Sequence, residues 1–214
     1  MTANITEPRE DDVSRSAEYT YILGLIKPTT PKIIVDVGAL GKKNSNSWNL
    51  IKDGWQGVLV EPRPDGARAC QAQFEGDFVV VQKAIADYEG RDMLRRFEWN
   101  GWATLDKNPR SAQNRLIQSQ TPLKEPPKEK SPIEVEVTTL PKLLEECGIP
   151  HQFGVLSVDT EGFDEKVLVP MLASPWRPYI ILVEDCDKKL LSDAGYILRH
   201  EQVDQKVWVQ ETTS

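Results

Sequence analysis

Five short apolar runs constrain this chain more than any other feature: KIIVDVGA (32–39), GVLVEP (57–62), FVVVQKA (78–84), FGVLSVD (153–159) and YIILVED (179–185). Their Val, Ile and Leu residues sit on consecutive rather than alternate positions, the pattern of strands buried on both faces. Helical patterns fall between them. Ala67, Cys70 and Phe74 mark one apolar face, and residues 140, 143, 144 and 147 mark another that Gly148 is placed to stop. Strands and helices in alternation predict a doubly wound, mostly parallel sheet, a Rossmann-like α/β fold. The closing segment YILRHEQVDQKVWVQE reads as two strands about a VDQK turn, an antiparallel hairpin at the sheet edge.

At 214 residues, 39% hydrophobic and 28% charged, the chain has the material for one domain with a real core. Residues 1–31 read as an N-terminal helical extension, with a stripe at Ala17, Tyr21, Ile22, Leu25 and Ile26 ended by Pro28; residues 32–214 read as the main domain. SWNLIKDG is a short helix closed by Gly54, and RDMLRRFE and IEVEVTTL are further strands. Four prolines in TPLKEPPKEKSP (121–132) make that stretch a loop or a lid. No apolar run reaches membrane-spanning length, the start is acidic, and three separated cysteines suit reduced thiols. A cytoplasmic protein is expected. The formal charge of −7, with only short basic pairs at Lys42-Lys43 and Arg95-Arg96, argues against nucleic acid and for a small-molecule or glycan partner. No feature sets the oligomeric state.

In such sheets ligands bind beyond the carboxyl ends of the strands, where the strand order reverses. The first strand ends DVGALG. Gly38 can take backbone angles closed to other residues and lets a ligand approach the main chain, while Asp36 is placed to accept a hydrogen bond from an amine or amide. Glu61 ends the second strand 23 residues after Gly38, about the spacing of an acid that binds ribose hydroxyls. The full G-x-G-x-x-G of a dinucleotide site is missing. One glycine turn in an acid-rich site suits a nucleoside bearing an amino acid, S-adenosylmethionine. A lone D-x-G also occurs as an ordinary strand-to-turn junction.

The segments VDVGALGKKNSNSW, GWQGVLVEPRPD, VEVTTLPKLLEECGI, FGVLSVDTEGFDEKVL and ILVE resemble, in order and spacing, the FkbM-type S-adenosylmethionine-dependent methyltransferases over about residues 32 to 209. The resemblance implies a class I methyltransferase fold, S-adenosylmethionine as methyl donor and usually a hydroxyl oxygen as acceptor. It implies that Asp36, Gly38 and Ala39 lie under the methionine part, with Ser45 and Asn46 near its carboxylate at a helix N-terminus. Glu61 would hold the ribose diol, and Lys83 and Ala84 would lie along the adenine through backbone atoms. Two positions depart from the family pattern. Leu40 stands where Asn is frequent, and Pro141 stands where T-L-D is usual, a change that reads as helix-start chemistry.

The stretch LSVDTEGFDE carries four carboxylates just past an apolar strand, where they are costly unless used or paired. Methyl transfer is an in-line displacement, and an alcohol acceptor must also lose its proton. Asp159 or Glu161 is the candidate base. By analogy with small-molecule O-methyltransferases of this fold, Asp159, Glu184 and Asp185 are candidate ligands for Mg²⁺, with Glu161 one layer further out. Asp164 and Glu165 read as acids at a helix start. His151 reads as structural and His200 as a surface residue; Trp99 and Trp102 are either faces over the acceptor or plain packing. The expected function is methyl transfer to a hydroxyl of a small molecule or glycan. The alternatives are a nucleoside-binding protein of this fold without turnover and, less favoured, a nicotinamide-dependent oxidoreductase.

Overall fold

The computed structural model describes residues 8–15, 17–98, 103–107, 128–202 and 205–211. Trp99, Trp102 and residues 121–127 of the proline-rich segment lie outside them. Along the chain come α1 (Glu18–Leu25), β1 (Ile33–Val37), α2 (Trp48–Lys52), β2 (Gln56–Val60), α3 (Pro64–Gln73), β3 (Phe78–Val81), β4 (Ala84–Ile85), β5 (Gly90–Phe97) and β6 (Ala103–Thr104). There follow β7 (Glu129–Thr138), α4 (Leu140–Glu146), β8 (Val155–Val158), α5 (Asp164–Leu172), β9 (Ile180–Val183), α6 (Lys188–Asp193), β10 (Tyr196–Glu201) and β11 (Lys206–Gln210). No helix among the described residues is long and apolar enough to cross a membrane.

The five apolar runs supply five neighbouring strands of a seven-stranded mixed sheet in the order β10-β11-β9-β8-β1-β2-β3, but β3 is an edge with Val79 exposed, not a strand buried on both faces as expected. From β9 to β3 all neighbours are parallel. β11 runs antiparallel to both β9 and β10, so the reversed strand sits inside the sheet and the outermost strand runs with the majority. Composition explains the placement. Val207 and Trp208 of β11 are buried, whereas β10 ends in Arg199, His200 and Glu201, which an edge tolerates.

Side-chain alternation divides the sheet's apolar residues between two cores. Ile34, Leu59, Val155 and Leu182 pack with Tyr19 and Ile22 of α1, Leu50 and Ile51 of α2, and Cys70 of α3. Val35, Val37, Leu156 and Val183 pack with Leu143 and Leu144 of α4, Val167 and Met171 of α5, and Leu191 of α6. Helices therefore cover both faces, and α1 is built into the first core. That helix starts later than its stripe suggests. Asp12 accepts from the backbone N–H (2.9 Å) and hydroxyl (2.6 Å) of Thr20, so the residues before Glu18 run as a strap. Asn49 of α2 pins the strap, donating to the Asp11 carbonyl (2.8 Å) and accepting from the Val13 N–H (3.0 Å).

A second sheet, β4-β7-β5-β6, was not legible as such. The run read as one strand over 78–84 divides, Val81 pairing with Val60 in the first sheet and Ala84 with Val137 in the second. β7 also begins earlier than expected, so residues 129–132 are strand rather than loop. Pro132, which has no N–H to give, coincides with the register shift opposite Leu94 and Arg96. Pro141 falls in the first turn of α4 after Thr139, as helix-start chemistry requires.

The ends of β1, β2 and β8 are fastened together. Gly38 donates to the Val60 carbonyl (2.9 Å), and the Asp159 N–H donates to the Val37 carbonyl (2.9 Å). Gly38 has φ of 98°, and a Cβ there would lie 2.0 Å from the Asp159 carbonyl oxygen. What approaches this glycine on its Cβ side is thus the neighbouring strand end, while the residue also lines a cavity. Gly38→Ala should cost about 3 kcal/mol or more through strain and clash. Thermal unfolding measures it, and a drop of less than about 2 °C would mean that the junction yields easily.

Candidate active site

The fastened strand ends open onto a cavity of about 550 Å³. Asp36, Gly38, Ala39, Ser45, Asn46, Glu61, Lys83, Ala84, Asp159 and Glu161 all line it. Residues from sequence positions far apart are thus brought to one space by the crossovers of a parallel sheet.

At one end the polar groups hold one another. Asp36, buried at the end of β1, accepts from the Ser47 hydroxyl (2.5 Å). Burial pushes its carboxyl up to about 6 against the pull of the Ser47 and Ser157 hydroxyls, with the Asp159 charge adding to the rise. The Ser45 hydroxyl accepts from the N–H groups of Ser47 (3.1 Å) and Trp48 (2.9 Å), closing the start of α2. The Asn46 amide donates to the Ser157 hydroxyl (3.1 Å), linking that turn to β8. Glu61 accepts from the N–H (2.7 Å) and guanidinium (3.0 Å) of Arg63, both residues being buried. Burial still holds the Glu61 carboxyl above its ordinary value. Lys83 is turned toward Glu136 (2.9 Å) and Glu146 (3.3 Å), and Ala84 presents β4 backbone beside it.

At the other end, carboxylate oxygens of Asp159, Glu161 and Glu184 lie within 4.8 Å of one another. Glu161 occupies a left-handed backbone position, φ 51°, which aims a long acid inward from a tight turn. Burial, then the charges of Asp159 and Asp164, push the Glu184 carboxyl up to about 8. Burial and the charges of Asp159, Glu184 and Asp164 raise Glu161 well above the carboxylate range, while Arg15 opposes the rise at both. Such a trio can hold protons near neutrality, or it can offer oxygens to a hard divalent cation.

Several expected roles change. Asp185 does not join the trio; it is exposed, and Glu161 takes its place, moving inward from the outer layer assigned to it. Adjacent residues at a strand end face opposite ways, so Glu184 and Asp185 cannot both turn to Asp159. Asp164 and Glu165 do fall in the first turn of α5, as expected, but Asp164 has a further task. It is buried, and its two oxygens accept from Thr160 N–H (2.9 Å) and hydroxyl (2.6 Å) and from Asp185 N–H (3.0 Å), tying the loops after β8 and β9 together. Glu165 likewise accepts from the Asp187 N–H (2.7 Å). His200 is half-buried, not a surface residue, and stacks on Tyr21 at 3.7 Å between ring centroids. His151 meets Trp176 edge to face. The sequence reading missed Arg15, Glu18, Arg63, Thr104 and Gln205, which also line the cavity. Their contacts are long-range, and no local spacing announces them.

The raised carboxyls make a signed prediction. In the folded protein Asp36 and Asp164 (about 6) and Glu184 (about 8) keep protons that the unfolded chain releases near pH 4. The folded state then binds more protons, so stability falls as pH rises from about 4 through 8. Glu184→Gln should gain about 1–2 kcal/mol at pH 8 and nothing below about pH 5. Denaturant unfolding at both pH values measures this, and equal effects at the two would contradict it.

Comparison with known proteins supplies the remaining finding. Residues 36–203 match the family model described as the methyltransferase FkbM domain. No curated protein and no solved structure gives a significant match. The matched residues take in both ends of the cavity and cover most of the chain, and the protein belongs to the FkbM methyltransferase family.

Proposed function

We propose that this methyltransferase uses S-adenosylmethionine and methylates a hydroxyl oxygen of a small molecule or glycan. The observation that carries the reading is one cavity lined by two chemically different groups: buried acids and small polar residues at β1 and β2, and Asp159 and Glu161 after β8, backed by Glu184 after β9. The parallel run β8-β1-β2-β3, with helices on both faces, supports a Rossmann-like class I arrangement.

The residues suit the cofactor. A volume of about 550 Å³ falls within the range of small-ligand sites. Arg63 fills Oε1 of Glu61 with two hydrogen bonds and gives Oε2 one long one (3.3 Å), so Oε2 keeps a lone pair that a ribose hydroxyl would meet. Asp36, with Ser45 and Asn46 beside it, would hold the amino-acid part, and Ala84 would border the adenine. S-adenosylmethionine supplies an electrophilic methyl group. The chain's own contribution is to align the acceptor oxygen and take its proton. Asp159 and Glu161 stand where that proton would leave, and charge repulsion within the trio raises the basicity of whichever carboxylate is ionised.

Transfer of labelled methyl to a panel of hydroxylated acceptors tests the proposal. Asp159→Asn and Glu161→Gln should each lower turnover by about 10²–10⁴ with cofactor affinity retained. Activity lost in EDTA and restored by Mg²⁺ would assign the trio to a cation instead of a proton. A protein that binds the cofactor yet methylates nothing would favour the nucleoside-binding alternative.

A further inference from the structure

Three side chains that line the cavity come from outside the family-matched residues: Arg15 and Glu18 before residue 36, and Gln205 after residue 203. The Asn49 clamp on the strap and the first turn of α1 deliver Arg15 and Glu18, and the start of β11 delivers Gln205. They share the space with Asp159 and Glu161. Glu18 and Gln205 are buried, at 1% and 5% exposure, which is unusual for such residues unless a protein group or a ligand pairs with them. The Gln205 side-chain oxygen is buried and has no hydrogen-bond partner among the described residues. An unmet buried acceptor is costly, and the cavity that the residue lines is where a donor can come from.

The walls restrict what that donor belongs to. Leu94, Leu105 and Phe163 give one apolar wall. In the same lining stand the carboxyls of Glu18, Asp159 and Glu161, with Glu184 against the last two, and Arg15, whose charge acts on Glu161 and Glu184. An acceptor carrying a carboxylate or phosphate would bring a further anion beside carboxyls whose charges already repel one another in a poorly solvated space. A ring with an apolar face and a rim of hydroxyl and ammonium donors meets complementary groups on every side.

We propose that Glu18 and Gln205 select the methyl acceptor, and that the acceptor class is a hydroxylated ring bearing an amine and no anion, as in an amino sugar. The proposal rests on the methyltransferase reading above and assigns its acceptor end to residues supplied by this chain outside the family match. Gln205 accepts from a ring hydroxyl, and Glu18 faces the ammonium group.

Saturation-transfer NMR on protein saturated with S-adenosylhomocysteine tests it, with glucosamine, methyl glucoside and glucuronate as probes. Glucosamine should bind most tightly, methyl glucoside less, and glucuronate least. Glu18→Gln should remove the preference for glucosamine, roughly a tenfold loss. Gln205→Ala should weaken both sugars alike, and Gln205→Glu, which keeps an acceptor oxygen, should retain them. S-adenosylhomocysteine affinity should stay unchanged in all three variants, which shows that each still folds around the cofactor end. Glucuronate binding as well as glucosamine, no sugar binding at all, or variants that leave the order intact would each overturn the proposal. Failure of the wild type to bind S-adenosylhomocysteine would count against the methyltransferase reading alone, since the sugar order can also be read on the protein without it.

Discussion

The meeting of two strand ends at Gly38 and Asp159 sets the geometry of everything above the sheet. The Asp159 carbonyl fills the place where any other residue at position 38 would carry its Cβ. That contact exists because the Asp159 N–H bonds to Val37 while the Gly38 N–H bonds to Val60, drawing β8 and β2 onto β1. Once the three ends are drawn together, Asp36, Glu61 and Asp159 surround one space. The glycine is therefore a condition for the site before it is a feature of it.

A second constraint is electrostatic. Asp159 and Glu161, which line the cavity, crowd against Glu184 and Asp164 behind them, and three of the four have raised carboxyls for the same first reason, loss of water. Asp164 is held by hydrogen bonds from Thr160 and Asp185, which give it a fixed structural task. Glu161 and Glu184 are raised further by their neighbours' charges, with Arg15 opposing the rise.

Much of this was legible from residue order. The apolar runs marked β1, β2, β8 and β9 because burial on both faces leaves no alternation to misread, and they marked β3 as a strand although it proves to be an exposed edge. Asp36, Glu61 and Asp159 could be named because a strand's last residue points into the space where ligands bind. Other features depended on distances that sequence does not carry. The division of FVVVQKA between two sheets turns on Ala84 finding Val137, more than fifty residues away. The exchange of Asp185 for Glu161 turns on the left-handed backbone at position 161, which no composition rule foretells for glutamate. Arg15, Glu18 and Gln205 arrive through the strap and the last strand, elements whose local patterns say nothing about a cavity.

The central claim is that the cavity above β1 and β2 is a site for S-adenosylmethionine. Calorimetric titration of the protein with S-adenosylmethionine and with S-adenosylhomocysteine, repeated on Asp36→Asn, tests it most directly. The account predicts micromolar binding of both ligands by the wild type and marked weakening in the variant. A folded wild-type protein that gives no binding heat with either ligand would contradict it.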